Sequence, residues 1–146
     1  MAEPEYVAEI LQTLESAPKK VRDRIVLTDH IEDPFLYYSA ADIFVCTSLV
    51  ESAPRVIVEA MACGLPIITT PVFGIPELVR AGVNAWYYEP GDIPTLAAIV
   101  SKLVDTPELR AEMASNSPKV LQGQPGFAEM VEGYKRVIRE AVNLSL

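Results

Sequence analysis

Histidine, cysteine and tryptophan are scarce in this chain, with one, two and one among 146 residues. The cysteines, Cys46 and Cys63, are too few for a disulfide scaffold and lack the spacing of zinc ligands. Each lies inside an apolar run, which reads as a core thiol in a reducing compartment. No apolar run approaches the ~18 residues that would span a bilayer, and the acidic start Met1–Glu5 offers no basic signal-peptide region. A cytoplasmic protein without a transmembrane segment is expected. Cations are also few: 12 Lys and Arg against 20 Asp and Glu give a formal charge of −8. Nucleic-acid affinity rests on clustered cations, so nucleic acid is not expected as a partner. Single anionic ligands stay open to the chain, because backbone amides at a helix start hold them without a basic patch. Internal repeats, low-complexity tracts and a second domain are absent, and residues 1–146 read as one domain.

What is present suits a folded core. Half of the residues are hydrophobic, 22% are charged, and the mean hydropathy is +0.22. Apolar residues spaced three and four apart predict a helix over Tyr6–Leu14. Arg24–Thr28 reads as a buried strand. Asp33 and Pro34 supply a cap and a first-turn proline for a short helix through Ala40. Asp42–Thr47 is the next strand, and a helix runs from Pro54 to about Cys63, where Gly64 stops it. Pro66–Thr70 is the third strand, with its proline at the first position. A short helix near Pro76–Ala81 and an edge strand Ala85–Tyr88 follow. The rest is helical, over Ile93–Val104, Pro107–Leu121 and Phe127–Asn143. The stripe of the last helix (Met130, Val131, Tyr134, Val137, Ile138, Ala141, Val142) reads as core, with self-association into a homo-oligomer as the alternative. Alternating helices and apolar strands give an α/β, Rossmann-like parallel sheet of three to four strands with helices on both faces. A helix comes first, with no strand before it, so the chain reads as part of a larger domain.

The chemistry concentrates between Ser39 and Glu77. Glu51 ends the loop after the second strand, and Glu59 follows seven intervening residues later, inside the helix. Ligands of open parallel sheets sit beyond the carboxyl ends of the strands, where Glu51 and this helix start must lie. Pro54 leaves the amides of Arg55 and Val56 free at the helix's positive end. Glu59 stands among Val56, Ile57, Val58, Ala60 and Met61, where an unpaired carboxylate is costly. Sugar or ribose hydroxyls would serve it, and an unseen cation is the structural alternative. Glu51 has its own plain reading, as an acid placed to favour the helix dipole.

This segment resembles the family 4 retaining glycosyltransferases of two-domain GT-B architecture. Glu51 and Glu59 stand as the E-x7-E pair, Ala41-Asp42 precede the strand, and Glu59-Ala60-Met61-Ala62-Cys63-Gly64-Leu65-Pro66 follow. The match continues through Gly74-Ile75-Pro76-Glu77 and Tyr88-Glu89-Pro90-Gly91-Asp92. The resemblance implies the later part of a C-terminal, donor-binding domain that takes a nucleotide-diphosphate sugar. In that likeness Glu59 accepts hydrogen bonds from the ribose and Glu51, as the catalytic residue, meets hydroxyls of the transferred sugar. Ser52, Ala53, Pro54, Arg55 and Val56 join them in binding the donor, the amides near Arg55 and Val56 facing the diphosphate, and Asp29, His30 and Ile31 form a base-side loop. No metal and no other cofactor are expected, since the helix dipole and basic side chains stabilise the leaving diphosphate. No Asp-x-Asp pair occurs.

The chain also departs from the family. Ala53-Pro54 stand where Phe-Gly is common, removing one amide donor. Asp29 and Asn84 replace usual glycines, Asn84 harmlessly if it adopts a left-handed turn. The family's diphosphate-gripping Arg and Lys, and its acceptor-binding N-terminal domain, have no counterpart here. Retaining transfer needs a cleft closed by two domains, so this chain alone is not expected to transfer sugar. It reads as the C-terminal piece of such an enzyme, whether truncated, split or degenerate, with the N-terminal domain as its partner. A non-catalytic interaction module is the competing reading, with another chain pairing at the exposed sheet edge. His30 reads as a surface turn residue, Arg55 as a solvated helix residue, and Trp86 with Tyr87 and Tyr88 as strand packing before a sugar platform.

Overall fold

The computed structural model describes residues 4–143; Met1 to Glu3, the beginning of the acidic start, lie outside the described residues. The chain forms two compact units, one ending at Glu32 and one beginning at Asp33. The first carries helix α1 (Pro4–Ser16) and the short α2 (Lys19–Arg22). The helical spacing around Tyr6–Leu14 is therefore realised. The expected strand over Arg24–Thr28 is not: these residues form no ladder, and Val26 is 80% exposed. β-branched composition makes a strand only where a neighbouring strand takes up its hydrogen bonds. Here the local amides of Arg24 and Ile25 close turns back to Val21 and Arg22 instead.

The second unit holds the sheet. Its elements are α3 (Phe35–Ala40), β1 (Phe44–Cys46), α4 (Arg55–Ala62), β2 (Ile67–Thr69), α5 (Ile75–Leu78), β3 (Ala85–Tyr87), α6 (Ile93–Asp105), α7 (Pro107–Gln122) and α8 (Phe127–Asn143). The three strands lie in the order β1-β2-β3, all parallel, with Phe44 beside Ile67 and Ile67 beside Ala85. Parallel neighbours require crossovers, and α4 and α5 provide them. Central β2 is buried throughout, which explains its unbroken apolar run. Ile67 joins Ile57, Ala60 and Met61 of α4 and Val120 of α7 in one cluster. Ile68 joins Leu103 of α6 and Met113 of α7 in another, with Trp86, Leu96, Ile99 and Val100 packed against it. Trp86 thus packs an edge strand onto the later helices, as its strand position suggests.

Element ends follow their local chemistry. Asp33 Oδ1 accepts from the Phe35 amide at 3.1 Å, starting α3. Gly64, at φ 74°, turns the chain out of α4 while the Leu65 amide returns to the Ala60 carbonyl at 3.0 Å. Asp92 Oδ1 caps α6 through the Thr95 amide at 3.1 Å, and the Thr95 side chain together with that amide holds its carboxyl below the usual range. Asn84 is not left-handed; Phe73 alone among the described non-glycine residues has a positive φ. Asn84 is instead fully buried: its Oδ1 accepts from the Arg80 amide at 2.9 Å and its Nδ2 donates to Ser117 Oγ at 3.3 Å. Ser117 Oγ in turn donates to the Leu65 carbonyl at 2.6 Å, tying α7 to the entrance of β2.

The last helix differs from expectation. Its periodic stripe forms, but Met130, Tyr134, Val137, Ile138 and Val142 all remain exposed. Periodicity registers which residues share a face, and a face becomes core only when another element packs on it. Of the two cysteines, Cys46 is buried and Cys63 half-buried, both as free thiols.

Candidate functional site at the start of α4

Two loops leave the carboxyl ends of neighbouring parallel strands, 47–54 after β1 and 70–74 after β2. They are fastened together. Thr70 Oγ1 donates to the Ser48 carbonyl at 2.6 Å. Further along, a Cβ on Gly74 would overlap the Ser52 carbonyl, so only glycine permits this approach. Within the first loop, Ser48 Oγ donates to Glu51 Oε1 at 3.0 Å and also lies 3.5 Å from Cys46 Sγ. The Glu51 carboxylate is thereby held at the carboxyl edge of β1, half-buried.

Helix α4 starts at this edge. Pro54, buried and extended at φ −68° and ψ 113°, precedes it, and no side chain caps the helix. The first returning bond runs from the Ile57 amide to the Pro54 carbonyl at 3.1 Å. The amides of Arg55 and Val56 precede it and point out of the helix start, where the peptide dipoles leave a partial positive charge. Ser52 and Ala53 are exposed beside them.

Glu59 lies one turn further in. Its side chain is 23% exposed, and Oε2 accepts from the Tyr38 hydroxyl at 3.1 Å. Arg55 Nη2 stands 3.8 Å from Oε1, but Arg55 is 91% exposed, so this contact is a loose surface pair that leaves the carboxylate able to take another donor. Tyr38 is itself fixed, its ring edge-on to Phe35 and Phe44 at 5.9 and 5.7 Å between centroids. Burial, and then the hydrogen bond to Glu59, push its hydroxyl up to about 12, so it remains a donor across the physiological range.

Glu51, Ser52, Ala53, Pro54, Arg55, Val56 and Glu59 thus occupy one loop and the helix start it leads into. Asp29, His30 and Ile31 belong to the first compact unit, where Asp29 and His30 are exposed and Ile31 is half-buried. Sequence reasoning missed Tyr38, Ser48, Thr70 and the Gly74 approach. Tyr38 lies 21 residues from Glu59 and Thr70 lies 22 from Ser48, distances over which no spacing rule operates. For Ser48 alone a signal existed: a hydroxyl three residues before Glu51 can reach it locally.

The sequence pattern of the family described as Glycosyl transferases group 1 matches residues 3–106. Capsular polysaccharide biosynthesis glycosyltransferase CapM of Staphylococcus aureus is 31% identical over 100 residues, covering 68% of this chain and 26% of the relative. The N-acetyl-alpha-D-glucosaminyl L-malate synthase of Bacillus anthracis is 28% identical over 134 residues, covering 92% of this chain and 34% of that protein. Among solved structures, Anabaena HepE in complex with UDP superposes with a TM-score of 0.82 at 27% identity, covering 93% of this chain and 37% of HepE. The chain therefore spans about a quarter to two fifths of the length of these proteins. The doubly covered parallel sheet is the GT-B, Rossmann-like arrangement of those neighbours.

Proposed function

Since this chain belongs to the glycosyl transferases group 1 family, we propose that the start of α4 binds a nucleotide-diphosphate sugar and supplies the donor side of a retaining glycosyl transfer. One observation carries the reading: one turn inside a helix that no side chain caps, the half-buried carboxylate of Glu59 has a single fixed donor, Tyr38, and a loose cation, Arg55. The ribose of the nucleotide supplies the hydroxyl donors that Glu59 lacks. The diphosphate lies against the Arg55 and Val56 amides, whose dipoles offset the charge it gains when the anomeric C–O bond breaks. Glu51, held by Ser48, accepts from hydroxyls of the transferred sugar and faces the positive charge that develops at its ring. The acceptor, whose oxygen forms the new bond to the anomeric carbon, is held by residues outside this chain. Without that second wall the chain binds donor and does not transfer it. HepE has been solved with UDP and with UDP-glucose, which makes these the probes to use.

Calorimetric titration of the chain with UDP tests the assignment. Glu59→Gln is expected to weaken binding about tenfold or more, the cost of losing hydrogen bonds to a charged acceptor. Equal affinity for the variant and the parent chain would remove Glu59 from the site and with it the reading.

A further inference from the structure

Phe73 is the one non-glycine residue with a positive φ, 46°, among those described. A bulky side chain is a steric outlier there, and such strain persists only where surrounding structure over-determines it. Packing of the ring does not repay it, because Phe73 is 71% exposed. The backbone on either side is fixed instead. Val72 packs on the core and its carbonyl accepts from the Ile75 amide at 3.1 Å. Gly74 abuts the Ser52 carbonyl, and Thr70 holds Ser48. The chain thus holds an aromatic ring in solvent, at the carboxyl edge of β2, on a loop locked to the segment between Glu51 and α4.

We propose that Phe73 is a specificity-determining residue of the donor subsite, its ring lying against the apolar C–H face of the transferred sugar. This rests on the donor reading above. Within that reading Glu59 takes the ribose and the α4 amides take the diphosphate, so the sugar lies on the Glu51 side. The Gly74 contact brings the Phe73 loop to Ser52, the residue next to Glu51. A carboxylate engages a sugar's hydroxyls at the ring edge and leaves its C–H face open, a surface that an aromatic plane covers. The fixed backbone sets where the side chain leaves the loop, so the loop itself needs no ordering at binding.

The test compares UDP with UDP-glucose on the same chain by calorimetry. In the parent chain UDP-glucose should bind more tightly than UDP. Phe73→Gly should leave UDP affinity within about twofold and reduce the advantage of the glucosyl group ~5-fold, as expected for one lost ring contact. Phe73→Tyr should retain that advantage. Phe73→Gly is also expected to melt at a higher temperature, since glycine relieves the positive φ, so a lost contact will not be confused with misfolding. An unchanged ratio of the two affinities in Phe73→Gly, alongside weakened UDP binding in Glu59→Gln, overturns this inference alone. Unchanged UDP binding in Glu59→Gln overturns the donor reading beneath it.

Discussion

Gly74 has a φ of −81°, which any residue can adopt, so its requirement for glycine is purely one of space. The atom it meets is a backbone carbonyl, and no rotamer change can clear it. Gly74→Ala should therefore push the two strand-end loops apart, at a cost of about 1–3 kcal/mol for overpacking. Urea denaturation measures that loss, and UDP affinity should fall with it. Tyr38 offers a second test at this scale. Tyr38→Phe removes the one fixed donor to Glu59 and should cost about 0.5–1.5 kcal/mol. Its hydroxyl is raised from 10.0 to about 12 in the folded protein, so the unfolded chain releases that proton first as pH rises. The Tyr38 contribution is then complete below pH 10.0 and lost between there and about pH 12. Tyr87 and Tyr88 are shifted the same way by burial. Alkaline denaturation of Tyr38→Phe should accordingly show a shallower decline than the parent chain, without abolishing it. That Glu51 ends the loop after β1 and Glu59 lies inside the helix that follows was legible in the sequence. The bonds from Tyr38 to Glu59 and from Thr70 to the Ser48 carbonyl were not, because those contacts exist only after α3 and β2 have packed.

At the scale of elements, legibility followed how local the deciding interaction is. The α4 boundaries could be read from Pro54 and Gly64, since cap and terminator act within one turn. Arg24–Thr28 could not, since a strand is made by its neighbour. The stripe of α8 announced an amphipathic helix but not what covers it. Asn84 is the sharper case: a residue suited to a left-handed turn serves instead as the buried centre of a polar network linking Arg80, Ser117 and Leu65. Ser117→Ala leaves both the Leu65 carbonyl and the Asn84 amide without that partner. It should destabilise the second unit by about 1–3 kcal/mol, the cost of buried groups left unsatisfied. Trp86, packed on the α6 and α7 cluster, reports that transition by fluorescence.

For the molecule as a whole, the charge of −8 makes the dipole at the start of α4 a local exception to an anionic surface. Raising the salt concentration screens both the general repulsion and the attraction of the helix start, and leaves the short-range hydrogen bonds of Glu59 in place, so UDP affinity should change little. Two other features compete for attention: the apolar groove of the first unit, lined by Tyr6, Ile10, Leu14, Ile25 and Leu27, and the exposed stripe of α8. Neither combines a helix start with a half-buried carboxylate, and neither suits a diphosphate. Among the described residues, no helix is long and apolar enough to cross a membrane. The most direct measurement is a map of backbone amide chemical shifts on titrating the chain with UDP-glucose. The largest changes are expected at Ser48–Ser52, Arg55, Val56, Glu59 and Phe73. Shifts confined to α1 or α8, with those amides unmoved, would contradict the donor reading.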